Sequence, residues 1–391
     1  MKEYRTSKGW SIFIYLFASI FIVLSSWVLT QSFLDGYFSL AASWILIPTC
    51  IAMILLMSYG VLDVYQGRLI IQESRIISIG VFSRRELNFN EIKGYRTGEQ
   101  FIFVETNSKQ KKQIKISKYF DGYNDISSWF SQHFLDLDDQ NAIKEEQEIL
   151  NDENLGWTKD IRKDRLSKAK KTSKAINWAA SLTALWVFFY PTPYQYSILT
   201  AMIIPFVALL AVKFSNGLIK VDGKDESVYP YVSNAFISLS LVLMLRAILD
   251  FYIFDYSNVW LITIIITLTF LFAILIKQKE FRFKKKIDYL TVLALALFLF
   301  AYSFGSVIFI NCYYDNSDPE YFKAKVLGKR ISSGRRSTSH YLELSTWDQQ
   351  SEVDEVRIDS GLYNKIEVND EVNILLRNGK LEIPWFVVTE K

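Results

Sequence analysis

This sequence predicts a helical polytopic membrane protein with about seven transmembrane helices and two β-rich polar domains. Three observations carry the prediction. Seven stretches are nearly free of charge, every second connection between them is basic, and two polar blocks place apolar residues at every second position. The stretches occupy residues 11–30, 38–62, 176–190, 197–212, 231–254, 259–276 and 289–311. A bilayer core takes roughly 20 apolar residues of helix to cross, and a backbone in lipid must pair its own amides, so such runs become helices. An aromatic content of 16% suits rings placed at membrane interfaces.

Composition excludes several function classes. A net charge of +3 is too small to imply a nucleic-acid partner. Cys50 and Cys312 are the only cysteines, the first well inside the second stretch and the other at the far end of the last, so no disulfide is expected. With His133 and His340 as the only histidines, no Cys/His zinc set can be assembled, and neither lies near a G-x-S-x-G nucleophile turn. No cofactor or metal is expected.

The N-terminal Lys2, Arg5 and Lys8 precede an apolar run too long for a typical signal-peptide core, so it reads as a retained first span. The connection at 31–37 carries only Asp35, and the block at 63–175 ends in a dense basic run. Residues 191–196 carry no charge, and 213–230 hold Lys213, Lys220 and Lys224. Residues 255–258 have no base, whereas 277–288 hold Lys277, Lys279, Arg282, Lys284, Lys285 and Lys286. By the positive-inside rule the N-terminus is cytoplasmic and the C-terminal domain lies outside a cytoplasmic (inner) membrane. The third and fourth stretches are short, and Pro205 interrupts the fourth, so a re-entrant hairpin is an alternative that preserves sidedness.

After an N-terminal hairpin (1–62), residues 63–135 change to short β-branched runs with period two, as in QIKI at 113–116. Ile126, Trp129, Phe130 and Phe134 then fall at helical spacing. The runs RIISIGVF (75–82) and RELNFNEI (85–92) resemble the bacterial pleckstrin-homology-like domain found behind membrane hairpins. The resemblance covers under a fifth of the chain. It implies a cytoplasmic module for protein binding or self-association rather than an enzyme. Phosphoinositide-binding pleckstrin domains carry a basic cluster at the first turn. Here the turn at Gln72, Glu73, Ser74 and Arg75 has one arginine beside a glutamate, so specific phosphoinositide recognition is not expected. Lys109, Lys111, Lys112, Lys115 and Lys118 read as a solvated strand face.

Residues 136–175 read as a charged cytoplasmic linker, acidic first and then basic. Its Lys159, Arg162, Lys163, Arg165, Lys168, Lys170, Lys171 and Lys174 run into the third stretch and are the candidate contacts for anionic lipid headgroups. Anchoring alone also accounts for them. A five-helix bundle is expected over 176–312 and an outer, barrel-like β domain of five or six strands over 313–391. There, Asn378 and Gly379 signal a type I′ hairpin between strands at 374–377 and 380–383. Glu343, Asp348, Glu352, Asp354 and Glu355 lack calcium-loop spacing and read as a solvated strand edge.

Arg246 and Asp250 are the only opposite charges four apart within a stretch, where they form a candidate intramembrane ion pair. The leading functional expectation is a non-enzymatic membrane scaffold or accessory protein. The alternative is a small-solute transporter or channel using this pair. An intramembrane enzyme lacks paired aspartates, an H-E-x-x-H motif or a serine–histidine pair within the spans.

Overall fold

The computed structural model describes residues 2–34, 40–108, 110–223, 227–276, 280–281, 283, 286–333, 338–347 and 353–390. Asp35, Lys109, Lys224, Lys277, Lys279, Arg282, Lys284, Lys285, Asp348 and Glu352 lie outside the described residues. The chain divides into two units, Met1–Gln147 and Glu148–Lys391.

In the first unit, strand β1 (Lys2–Arg5) leads into helices α1 (Lys8–Leu34) and α2 (Leu40–Gln66), and β2 (Arg68–Ile71) follows. Strands β1 and β2 pair antiparallel, so the two helices form an insertion between neighbouring strands. Next come β3 (Arg75–Ile79) and β4 (Arg84–Asn88), which complete a sheet of order β1-β2-β3-β4. A second antiparallel sheet holds β5 (Ile92–Thr97), β6 (Phe101–Thr106) and β7 (Ile114–Ser117), and helix α3 (Tyr123–His133) follows. Alternation sets the core. Ile114 and Ile116 are fully buried, while Lys115 between them is exposed. Ile126 and Phe130 of α3 join the same core, as their helical spacing requires. Gly94 marks a bulge in β5: its φ is +157°, and a Cβ there would lie 2.5 Å from the Leu135 carbonyl oxygen.

Helix α4 (Leu137–Asn151) contains the boundary between the units. In the second unit, α5 (Lys159–Phe189) runs unbroken for 31 residues. Three changes to the expected organisation follow. The segment 136–175, expected as a charged linker, is mostly helical, with α4 and the first half of α5 occupying most of it. The third apolar stretch is the second half of α5, so the bundle begins at Lys159. Residues 63–66 extend α2 beyond residue 62, and the β framework begins at Lys2.

The remaining helices are α6 (Tyr194–Phe214), α7 (Ser233–Asp250), α8 (Ser257–Leu275) and α9 (Lys286–Tyr313), with the short strand β8 (Tyr252–Ile253) after α7. Among the described residues, six helices are long and apolar enough to cross a membrane: α1, α2, α6, α7, α8 and α9. Helix α5 is not among them, because its basic first half and its polar Ser173, Asn177 and Ser181 lower its apolarity. The protein is therefore a multi-pass helical membrane protein with β domains.

Helix α9 is the centre of the bundle and packs against α7 and α8. Its second half, including Tyr302, Phe304, Val307 and Phe309, is buried. A Cβ on Gly305 would lie 2.6 Å from the Leu243 carbonyl carbon, so the α7 and α9 backbones touch there.

Beyond α9 lie β9 (Glu320–Ser333), β10 (Thr338–Leu344), β11 (Asp354–Ile358), helix α10 (Ser360–Lys365), β12 (Glu371–Arg377) and β13 (Trp385–Thr389). Together with β8 they form a six-stranded sheet of order β11-β10-β9-β12-β13-β8. Its two edge strands meet through one side chain: Tyr252 Oη accepts from the Arg357 amide and donates to the Arg357 carbonyl at 3.2 Å. The expected strand at 380–383 does not form. Residues 378–384 instead make a loop over the end of α9, because buried Asn311 supplies the partners a second strand would have supplied. Its Oδ1 accepts from the Leu381 amide at 2.9 Å and its Nδ2 donates to the Ile383 carbonyl at 2.8 Å.

Candidate functional site

Arg246 and Asp250 sit in the last two turns of α7, and helical spacing stacks them on one face. Their closest approach is 3.4 Å, a loose ion pair. The stronger contacts lie elsewhere. Arg246 Nε donates to the Val187 carbonyl at 2.8 Å and Nη2 to the Phe188 carbonyl at 3.0 Å. Those carbonyls belong to the last turn of α5, where the helix leaves acceptors without partners and carries partial negative charge. Asp250 Oδ2 in turn accepts from the Tyr194 hydroxyl at 2.8 Å. The arrangement is a clamp joining α5, α6 and α7. Sequence spacing identified the pair but not Tyr194 or the two carbonyls, since nothing in the sequence marks which helix end faces Arg246.

The other end of α7 is also tied to α5. Ser173 donates to the Tyr231 carbonyl, Asn177 Nδ2 donates to the same oxygen at 2.8 Å, and Asn234 Nδ2 reaches the Asn177 carbonyl at 3.0 Å. Residues 173–188 of α5 thus lie alongside α7 from its N-terminal end to Arg246.

Of the basic run, Lys159, Lys163, Arg165, Lys168, Lys170, Lys171 and Lys174 are exposed on α5. Lys168 pairs with Asp164 at 2.8 Å. Arg162 is a correction to the expected lipid contacts. It is 7% exposed, and its guanidinium donates to the carbonyls of Gly156 at 2.7 Å and Leu150 at 2.5 Å. It holds the turn between α4 and α5 and does not face a headgroup. Its i+4 and i+7 neighbours Leu166 and Ala169 are buried as well, a periodicity that marks this face as internal.

In the first unit, Arg96 bridges Glu105 at 2.7 Å and Asp138 at 2.6 Å. Burial lowers its pKa, but the hydrogen bonds it donates to Glu105 and Asp138 outweigh this and raise it. Burial, followed by the nearby Asp136, pushes the neighbouring Tyr95 up to about 12. Arg75 is occupied by Glu86 at 2.6 Å, and Lys111 by Glu91 at 2.7 Å. A cavity of about 500 Å³ lies between the β-sheets and the bases of α1 and α2, lined by Trp10, Tyr59, Asp63, Arg85, Lys115 and Tyr119 among others. Trp10 stacks on Tyr119 with centroids 4.1 Å apart.

Among the described residues, no group of three His, Cys, Asp or Glu could hold a metal ion. Glu343 and Glu355 are register partners on β10 and β11, and Glu355 accepts both arms of Arg330, at 2.5 and 2.9 Å. Those contacts make a strand-face pair. Comparison with known proteins returns no match: no family model, no curated protein and no solved structure.

Proposed function

We propose that the chain is a non-enzymatic membrane scaffold or accessory protein, which presents a pleckstrin-homology-like binding module on one side of the membrane and a small β domain on the other. The observation that carries this reading is the pairing of β1 with β2 on either side of the α1–α2 insertion, which makes module and hairpin one covalent and hydrogen-bonded framework. A module so held keeps a defined orientation to the bilayer. That suits a docking platform better than a tethered catalytic domain. The pleckstrin-like reading is supported by four strands, then three, then a helix whose Ile126 and Phe130 enter the core.

The proposed topology has the N-terminus in the cytoplasm, seven crossings and the C-terminal domain outside. Support for a seventh crossing comes from α5, whose residues 173–188 run beside α7 from Tyr231 to Arg246. At 1.5 Å per residue, that half of α5 covers about 23 Å, close to the length of α7 itself. The transporter alternative asks Arg246 and Asp250 to face a pathway. Their contacts with Val187, Phe188 and Tyr194 weigh against it.

The test is affinity purification of the full chain from native membranes. A scaffold brings a partner, or a second copy of itself, in fixed ratio. Charge reversals on the exposed strand faces of the first unit release that partner while the chain still inserts. A chain that purifies alone at every detergent strength overturns the reading.

A further inference from the structure

The second unit carries an open groove of about 410 Å³ between α5, the segment 227–231 and the start of α7. Its volume lies within the roughly 300–1,000 Å³ of small-molecule clefts. Lys170, Lys174, Asn177 and Ser181 line it from α5, and their spacing of 4, 3 and 4 residues forms one stripe. Ser181 Oγ accepts from Asn234 Nδ2 at 2.8 Å, and among the described residues its own proton has no acceptor. No carboxylate lines the groove among the described residues; Asp225 and Glu226 lie outside them.

Its place in the fold is informative. On α5 the groove spans the point where the basic run gives way to the apolar half, between Lys174 and Ile176. On α7 it meets the first turn of a helix apolar enough to cross a membrane. Two independent elements therefore put it at the level of phospholipid headgroups. Trp178 beside it is 59% exposed, the usual placement of an amphipathic ring at that level. Further along the same outward side, Leu182 and Leu185 are 60% and 54% exposed, an apolar track continuing from the groove into the membrane.

We propose that this groove binds one anionic phospholipid, with Lys170 and Lys174 facing the headgroup phosphate and an acyl chain lying along Leu182 and Leu185. Ser181, about 10 Å deeper than Lys174 at 1.5 Å per residue, donates to a glycerol ester oxygen. The apolar track favours a lipid over a free phosphate ester, because a soluble ester makes no use of it. The remaining exposed lysines of α5 act only through general attraction to an anionic surface, which is not confined to one site.

The experiment uses the full chain in neutral detergent, with native mass spectrometry reading the binding of short-chain phosphatidylglycerol, phosphatidylcholine and glycerol 3-phosphate. One phosphatidylglycerol is retained in preference to the other two. Lys170→Gln with Lys174→Gln weakens it at least about tenfold, the scale of one lost charge-assisted hydrogen bond. Lys163→Gln with Lys171→Gln removes the same charge from exposed positions outside the groove and leaves retention unchanged. Ser181→Leu, which fills the groove without altering charge, abolishes it in protein that elutes as the wild type does. Equal losses in the two lysine pairs, full retention in Ser181→Leu, or binding of phosphatidylcholine or glycerol 3-phosphate as tight as phosphatidylglycerol would each overturn the proposal.

Discussion

Arg5 and Arg68 are register partners in adjacent antiparallel strands, although the α1–α2 hairpin separates them in the chain. The pairing makes both helix ends enter the β framework side by side. It is reinforced by the Asp121 amide, which donates to the Arg5 carbonyl at 2.7 Å, and by the Ser7 amide, which donates to the Tyr119 carbonyl at 2.9 Å. The β1 strand is charged and four residues long, so its position depends on these partners rather than on its own propensity.

This register is open to a covalent test. Cα atoms of antiparallel partners lie about 4.5–5.5 Å apart, within the span a disulfide bridges. Arg5→Cys with Arg68→Cys, in a background lacking Cys50 and Cys312, closes a disulfide on mild oxidation, read as an intramolecular cross-link by peptide mass mapping. Arg5→Cys with Arg85→Cys, which are not register partners, does not close.

The clamp at the end of α7 predicts an asymmetry between its two charges. Arg246→Ala leaves the Val187 and Phe188 carbonyls without their donor, at a cost of about 1–3 kcal/mol. Asp250→Asn leaves both of those bonds in place and costs less. Thermal unfolding in detergent should rank wild type above Asp250→Asn and Asp250→Asn above Arg246→Ala. Replacing both residues by Leu should not restore full stability, because the α5 carbonyls stay unpaired. Full recovery in the double variant would show that only the ion pair mattered.

Asp315, just past α9, gives the 378–384 loop a pH dependence. Burial raises its pKa, but bonds from the Ser317 amide, the Trp385 indole, the Ser317 hydroxyl and the Gly379 amide outweigh this and hold it below the ordinary 3.8. A carboxylate with a depressed folded pKa contributes stability that is fully present above its unfolded value and lost as pH falls through the folded one. Attachment of the 378–384 loop should therefore be intact well above pH 3.8 and weaken below it. Asp315→Asn should flatten that acid limb, measured as Trp385 fluorescence against pH.

Close contact at Gly305 gives a packing prediction. Gly305→Val forces α7 and α9 apart, since even a Cβ falls 2.6 Å from the Leu243 backbone. Overpacking of this kind typically costs about 1–3 kcal/mol. The variant should lose melting temperature, while Leu297→Val on the exposed face of α9 should not.

The topology is read with single cysteines in a chain lacking Cys50 and Cys312. An impermeant thiol reagent applied to intact cells should label Ser332→Cys and spare Ser108→Cys. The reverse pattern would invert the orientation drawn from the basic connections.

Hydropathy and charge along the chain were sufficient for the class of protein, since the need to pair backbone amides in lipid leaves an apolar run of span length little choice but helix. Period-two alternation likewise placed Ile114 and Ile116 inside, and helical spacing did the same for Ile126 and Phe130. These are properties a residue shares with its near neighbours, so they are legible locally. Tertiary structure alone decided where long-range partners fell. Arg162 carries the same charge as the lysines around it, yet it turns inward because the carbonyls of Leu150 and Gly156 meet it there. The Asn378–Gly379 turn signal was overruled by Asn311, roughly 70 residues earlier, whose side chain bonds the loop directly. Lys170 and Lys174 are indistinguishable from the rest of the basic run until the 227–231 segment and α7 close a groove over them. A side chain's charge is written in the sequence; what it faces is set by which distant backbone the fold brings beside it.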